Sequence, residues 1–454
     1  PEAAAVGLGL AHRRVGAAQA RIVERVGIVG DVIFVECTGL AGCSGHGWTP
    51  QPGTFLKDES DSSYVTIRDL HQCLKVAKKY VLGDEKFALL GFDSCVMSTL
   101  EIAYELEDTA ERIVSSQGFT PNAGWDYGRA IQSLKGKPAE VLTSQYVSDC
   151  FTKSFLRYNK EYAFYSGRSV DINTCDLSKI PDIVDNVHKL GNTLKVSVED
   201  SVTARFVEQA LLASHFSCQT HAFEQSVDLL DFCTKLREEC ETIASERDEI
   251  GESLANSPES KLATESKRIS ESMNSIASVS KEIADQTKDA CESYALGSEY
   301  QHSHGLSLFF PWSYLSFLMT VNTYRNLDFA HKARKTWPID VVLLKIAKGR
   351  DLEPLVNEPT GWIDFLNTYL AKTMRETRCE GEKIYTIFYN DLETYIKLSI
   401  ENDLKFHNEK HDSINKQNRL KAIAQFLDFY DITEEELKLD SVYRTIDRRL
   451  KSDK

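Results

Sequence analysis

The chain has 454 residues, of which 42% are hydrophobic and 27% charged, so it can bury a sizeable core and disorder is excluded as the default reading. Its formal net charge is −15, so no basic face is expected and no nucleic-acid partner is inferred. No run of about 18 apolar residues occurs, so no membrane-spanning helix is expected.

The 11 cysteines are odd in number and show no CxxC spacing, which reads as reduced thiols rather than a disulfide framework or a zinc ribbon. A cytoplasmic location follows from that reading, with secretion as the alternative. The apolar stretch Ala3–Ala11 is short and has no basic residues before it, which makes a poor secretory leader.

Residues 1–26 form an atypical N-terminal segment, rich in Gly, Ala and Arg, and no lysine occurs before Lys57. Val32–Val35 then reads as a buried strand, followed by a glycine loop from Gly39 to Gly47. Pro50–Ser63 is polar and is expected to be a loop. Thr66 is placed to cap a helix carrying Ile67, Leu70, Leu74 and Ala77 on one face, ended near Gly83. Phe87–Phe92 is a second buried strand. Val96, Leu100, Ala103, Leu106, Ala110 and Ile113 then mark an amphipathic helix, and Ile113–Ser116 a short strand. Strands alternating with helices imply a parallel sheet with helices on its faces, an α/β fold.

The stretch 238–300 is rich in Ser, Glu, Lys and Ala and reads as a helical insertion broken near Pro258. Leu306–Phe310 returns as a strand. The core is therefore assigned to 27–237 and 301–379, and a charged helical region to 380–454. In that last region Ile423, Phe426 and Leu427, then Leu437, Val442 and Ile446, form apolar faces. They pack a small subdomain or dock a regulatory partner.

The chemistry centres on Gly91-Phe92-Asp93-Ser94-Cys95-Val96-Met97. Cys95 lies just beyond a strand and ahead of a helix, where reactive groups of α/β sheets gather. A helix N-terminus there would favour a thiolate and lower its pKa. The alternative is a buried cysteine acting as a small apolar residue.

The run from Leu89 to Tyr127, with Glu101-Ile102-Ala103-Tyr104-Glu105-Leu106 and Gly124-Trp125, resembles the catalytic-cysteine region of clostripain-like cysteine peptidases. Weaker likenesses lie at Asp176–Ile180, Gly305–Pro311 and Thr360–Trp362. The resemblance implies a caspase-like fold: a mostly parallel sheet sandwiched by helices, with the helical insertion and helical C-terminal region added. It also implies a Cys–His dyad acting through an acyl-enzyme.

On that resemblance, His46 of His46-Gly47-Trp48 is the candidate base, and the Gly47 and Cys95 N–H groups form the oxyanion hole. The family pattern is commonly His-Gly-x-Gly-Trp, and that register places Ser44 at the dyad position, so His46 fits only a shortened loop. His304-Gly305 is a rival His-Gly step, but it precedes a strand. His302 and His304 with Cys291 match no standard zinc pattern.

Asp93 is implied to line the S1 pocket for substrate Arg or Lys, with helix capping as its alternative role. A second acid found in some relatives is replaced here by Ala123, with Asp126 nearby. Lys57 is the candidate self-cleavage site. No cofactor or metal is expected, calcium being the one ion the resemblance leaves open. The resulting expectation is an endopeptidase for proteins or peptides, cutting after Arg or Lys. The alternatives are a caspase-like pseudopeptidase used as a scaffold and a protease switched on by a partner.

Overall fold

The computed structural model describes the backbone of five strands between 26 and 66, and most residues of 66–331, 361–376 and 416–429, with 392, 439, 442–444 and 446 besides. Within 66–331 it leaves out 84, 122–123, 222–224, 255–259 and 326. The chain divides into two compact units, Pro1–Tyr369 and Leu370–Lys454.

The first unit opens with β1 (Val26–Val29) and β2 (Val32–Glu36), an antiparallel pair. Then come β3 (Cys43–Gly45), β4 (Thr54–Asp58) and β5 (Tyr64–Thr66), a small antiparallel sheet of their own. The polar stretch 50–63 is thus not one loop: Thr54-Phe55-Leu56 supplies strand-forming residues for β4. Lys57 pairs with Ser44 on one side and Tyr64 on the other.

Helix α1 (Ile67–Val81) begins at the expected cap. Thr66 Oγ1 accepts the Asp69 N–H at 3.0 Å and Asp69 Oδ2 accepts the Thr66 N–H at 2.9 Å, a reciprocal capping box. Strand β6 (Phe87–Asp93), helix α2 (Leu100–Leu106) and strand β7 (Ala110–Ser115) follow. Helix α2 is shorter than its apolar spacing suggests. Its chain turns at Glu107–Thr109, where Thr109 Oγ1 donates to Leu106 O at 2.6 Å, and Ala110 and Ile113 belong to β7. All seven residues of α2 are buried, so no polar face marks its length in the sequence.

After β7 come α3 (Tyr127–Leu134), α4 (Ser144–Ser166), β8 (Val170–Asp176), α5 (Ile180–Glu199) and α6 (Ala204–Ser217). Strands β9 (Thr220–His221) and β10 (Ser226–Asp228) lead into α7 (Leu229–Leu254) and α8 (Ser260–Ala290), which pack against each other. The segment 238–300 is therefore helical only to Ala290, because β11 (Cys291–Leu296) closes the edge of the main sheet. Strand β12 (Ser307–Phe309), helix α9 (Tyr314–Tyr324) and helix α10 (Trp362–Glu376) follow. Among the described residues, no helix is long and apolar enough to cross a membrane.

The main sheet has the order β1-β2-β6-β7-β8-β11. Its α/β class is the expected one, but parallel pairing is confined to β2–β6 and β6–β7. The pairs β7–β8 and β8–β11 are antiparallel, so the sheet is mixed rather than mostly parallel. The reason lies in the β7–β8 connection. It holds two helices, α3 and α4, instead of one, so the chain returns to the edge it left and β8 runs back.

Strand period decides what faces what. Leu89, Val114, Val170 and Ile172 pack with Trp125, Phe151 and Phe155 in one apolar cluster beneath α3 and α4. Leu90 and Phe92, on the opposite face of β6, are also fully buried. In the second unit, α11 (Lys416–Phe429) contributes Ala422, Ile423, Phe426 and Leu427 to a cluster with Leu392, Val442 and Ile446.

Candidate active site

Four chain segments meet at one edge of the sheet. Parallel β6 and β7 both end there, antiparallel β8 begins there, and β11 ends there. Asp93 is the last residue of β6 and shares its face with Leu89, two pleats back, so its side chain turns toward the Trp125 side. There Asp93 is 4% exposed, and its Oδ2 accepts the Trp125 N–H at 2.8 Å and the Tyr127 hydroxyl at 3.0 Å. Gly124 has φ +66, and a Cβ on it would lie 2.6 Å from Asp93 Oδ2, so only glycine lets the backbone come this close.

Cys95 follows, partly buried. The next residue, Val96, has φ 56, the left-handed region that a β-branched residue normally avoids. This turn separates Cys95 from α2, whose cap is Thr99 accepting the Ile102 N–H at 3.2 Å. The helix N-terminus therefore does not reach the sulfur. Instead the Thr120 N–H donates to Cys95 Sγ at 3.3 Å, and the thiol reaches back to Thr120 O at 3.8 Å. Burial pushes the Cys95 thiol up from its ordinary value, against the lowering effect of the Thr120 bond, and the negative charges of Asp93 and Asp171 push it further up. This reverses the lowered pKa expected from a helix N-terminus.

The loop carrying Thr120 is itself held. Asp171, at the start of β8, accepts the Gln117 N–H at 2.7 Å and the Gly118 N–H at 2.9 Å. Tyr300, beyond β11, packs on Gly118 so closely that a Cβ there would run into its ring, and its hydroxyl accepts the Phe119 N–H at 3.4 Å. Gln117 Nε2 donates to Asp228 Oδ2 at 3.0 Å, and Asp228 also caps α7 by accepting the Asp231 N–H at 2.8 Å.

His304 packs into the same network. Asp228 Oδ2 accepts its N–H at 2.7 Å, and its Nδ1 lies 3.2 Å from Asp228 Oδ1, which raises the imidazole pKa. Cys291 is joined in a disulfide to Cys175, its register partner across β8 and β11, so it cannot ligate a metal with His302 and His304. This bond also departs from the expectation of reduced thiols throughout. Asp126 caps α3, accepting the Arg129 N–H at 3.1 Å.

Cys95 and Asp93 are thus brought together, while His46, Gly47 and Ala123 lie outside the described residues and Lys57 is described only as backbone in β4. Thr120, Asp171 and Tyr300 were not singled out by the sequence. Their role depends on which strand ends become neighbours, and their spacing in the chain carries no sign of it.

The clostripain family model matches residues 45–341. No curated protein matches the sequence. Among solved structures, the chain is similar to a secreted C11 cysteine protease from Bacteroides thetaiotaomicron in complex with an irreversible peptide inhibitor, at 14% identity, covering 63% of this chain and 68% of that one with a TM-score of 0.38. It is similar to a B. fragilis cysteine protease at 14% identity, covering 59% and 92%, TM-score 0.33. It is also similar to an inactive zymogen C11 protease from Parabacteroides distasonis at 12% identity, covering 57% and 64%, TM-score 0.33. These superpositions are weak and the assignment rests on the family match, which spans more than half of the chain. The chain belongs to the clostripain family of cysteine endopeptidases, enzymes that act on protein or peptide substrates.

Proposed function

We propose that this endopeptidase cuts after Arg or Lys, with Cys95 as nucleophile, His46 as base and Asp93 at the base of the S1 pocket. The observation that carries this reading is the buried Asp93 carboxylate beside Cys95, fastened by the Trp125 N–H and the Tyr127 hydroxyl. A carboxylate fixed there can pair with the guanidinium or ammonium group of the substrate residue before the scissile bond.

In the proposed sequence His46 takes the Cys95 proton and the sulfur attacks the scissile carbonyl carbon. The Gly47 and Cys95 N–H groups receive the developing oxyanion, and the protonated imidazole delivers its proton to the leaving amine. Water then hydrolyses the thioester. Because burial holds the thiol pKa up, the imidazole and the Thr120 N–H must together stabilise the thiolate.

Self-cleavage after Lys57 belongs to the same proposal. Proteases bind substrate in extended form, and cleavage after Lys57 requires β4 to leave its pairing with β3 and β5 and enter the site as an extended segment. The reaction requires no cofactor in this scheme. The Cys175–Cys291 disulfide favours an oxidising, extracytoplasmic compartment over the cytoplasm.

The test is hydrolysis of fluorogenic peptides ending in Arg, Lys or Ala by wild type, Cys95→Ala, His46→Ala and Asp93→Asn, with intact mass recorded and chelator present or absent. Turnover of only the basic substrates, abolished by Cys95→Ala and His46→Ala, is the expected result. Equal turnover of the Ala peptide would overturn the basic specificity. Full activity at unchanged mass would sink self-cleavage, and a rate lost with chelator would establish a calcium requirement. No turnover in wild type would favour a pseudopeptidase or a partner-switched enzyme.

A further inference from the structure

Away from the Cys95 edge, three potential ligands converge from three elements. His71 lies on α1, Glu105 near the end of α2, and Asp328 opens the short turn Asp328–His331. One ligand atom of each lies within 4.8 Å of the other two. His71 and Glu105 are buried and Asp328 is half-buried.

The groups behind these ligands are arranged as a supporting shell. His71 Nε2 lies 2.7 Å from Asp108 Oδ1. Asp108 is in turn fastened, with Lys75 Nζ 3.1 Å from its Oδ2 and Lys78 Nζ donating to its carbonyl oxygen at 2.8 Å. A carboxylate on one ring nitrogen fixes the ring's orientation and turns the other nitrogen toward the ion, as in most metal-binding histidines. On the far side, Glu105 Oε2 accepts the Asp328 N–H at 2.9 Å, which orients Oε1 toward His71.

His71 Nδ1 and Glu105 Oε1 are 3.7 Å apart, too far for a good hydrogen bond. Two ligands each about 2.0–2.1 Å from one tetrahedral ion stand roughly 3.4 Å apart, so a small adjustment would seat a cation between them.

We propose that His71, Glu105 and Asp328 bind one first-row divalent cation, zinc fitting best, with Asp108 as the outer-shell partner of His71. One imidazole with two carboxylates suits zinc and its neighbours, whereas calcium and magnesium select oxygen donors alone. The ion would clamp α1 and the Asp328 turn onto α2, the helix that follows the Cys95 turn. It has no part in peptide-bond chemistry, so the proposal stands apart from the specificity reading.

The test uses the full chain carrying Cys95→Ala, which removes the reactive thiol as a competing ligand, dialysed free of metal and titrated with Zn²⁺ and Co²⁺. One equivalent should bind and raise Tm, and the Co²⁺ form should show visible bands without a thiolate charge-transfer band. His71→Ala and Asp328→Asn, added singly to that background, should weaken Zn²⁺ binding by at least about tenfold. Asp328→Asn keeps the backbone donor to Glu105, and its metal-free Tm, measured beside the parent's, separates loss of the ligand from loss of stability. No saturable binding by the parent, or binding unchanged in both variants, would overturn the site and leave a hydrogen-bonded ion-pair cluster. A Tm rise with Ca²⁺ equal to that with Zn²⁺ would overturn the imidazole ligand.

Discussion

The Thr120 N–H donates to the Cys95 sulfur at 3.3 Å, so a loop from the neighbouring strand supplies the donor that a helix N-terminus would otherwise provide. That loop is positioned from two sides, by Asp171 on the Gln117 and Gly118 amides and by Tyr300 on the Phe119 amide. The thiol's reactivity is therefore coupled to the strand end of β8 and to the loop after β11.

Tyr300→Phe tests that coupling. It removes one acceptor and leaves the ring on Gly118. The expected loss is roughly fivefold in kcat with little change in KM, about 1 kcal/mol for one hydrogen bond. The acid limb of the pH–rate profile should move up as the thiolate loses a positioned donor. A fall in Tm with an unshifted profile would assign Tyr300 a purely structural role.

Gly124→Ala should act on specificity. Its Cβ would lie 2.6 Å from Asp93 Oδ2 at a backbone φ of +66, so the carboxylate must shift or the turn must open. KM for Arg and Lys peptides should rise at least about tenfold, the scale of one displaced charge-assisted bond. Parallel Michaelis–Menten series on basic and apolar peptides check this, and an equal effect on both would separate Gly124 from the S1 pocket.

Glu101 gives the fold a pH dependence. Its Oε1 accepts the Phe309 N–H and the Tyr324 hydroxyl, each at 2.9 Å, and burial pushes the carboxyl up from 4.5 to about 7. The folded state thus holds this proton more tightly than the unfolded chain. Below about pH 4.5 both states are protonated and nothing is lost; between 4.5 and 7 the contribution to stability declines with rising pH, then levels off. Glu101→Gln mimics the protonated form. It should unfold at higher urea than wild type at pH 8, by up to about 3 kcal/mol, and match it near pH 4.5. Urea midpoints at the two pH values decide it.

The Cys175–Cys291 disulfide closes a sequence separation of 116 residues, containing α5 to α8, across the β8–β11 pair. Its removal by paired Cys175→Ala and Cys291→Ala should cost about 2–5 kcal/mol. Thermal unfolding of wild type should likewise shift down in strong reductant. A Tm indifferent to both would mean that the bond contributes no stability.

Much of the site was legible in sequence because short-range rules place it. The apolar run Phe87–Phe92 makes a strand, the strand's period aims Asp93, and Cys95 must then emerge just beyond the carboxyl end. The length of α2 was not legible, because a helix buried on every side shows no polar face to count. Nor was β4, whose polar flanks resemble a loop until β3 and β5 pair with it.

By itself the sequence determined the family likeness, the strand that ends at Asp93, and the position of Cys95 just beyond that strand. All of these are local, set by residue type and spacing along a few turns of chain. Only the tertiary structure decided that the sheet is mixed, that Thr120 rather than α2 serves the sulfur, and that Cys175 meets Cys291. Those facts depend on which distant strand ends become neighbours, and that is set by packing both faces of one sheet, which no local spacing encodes.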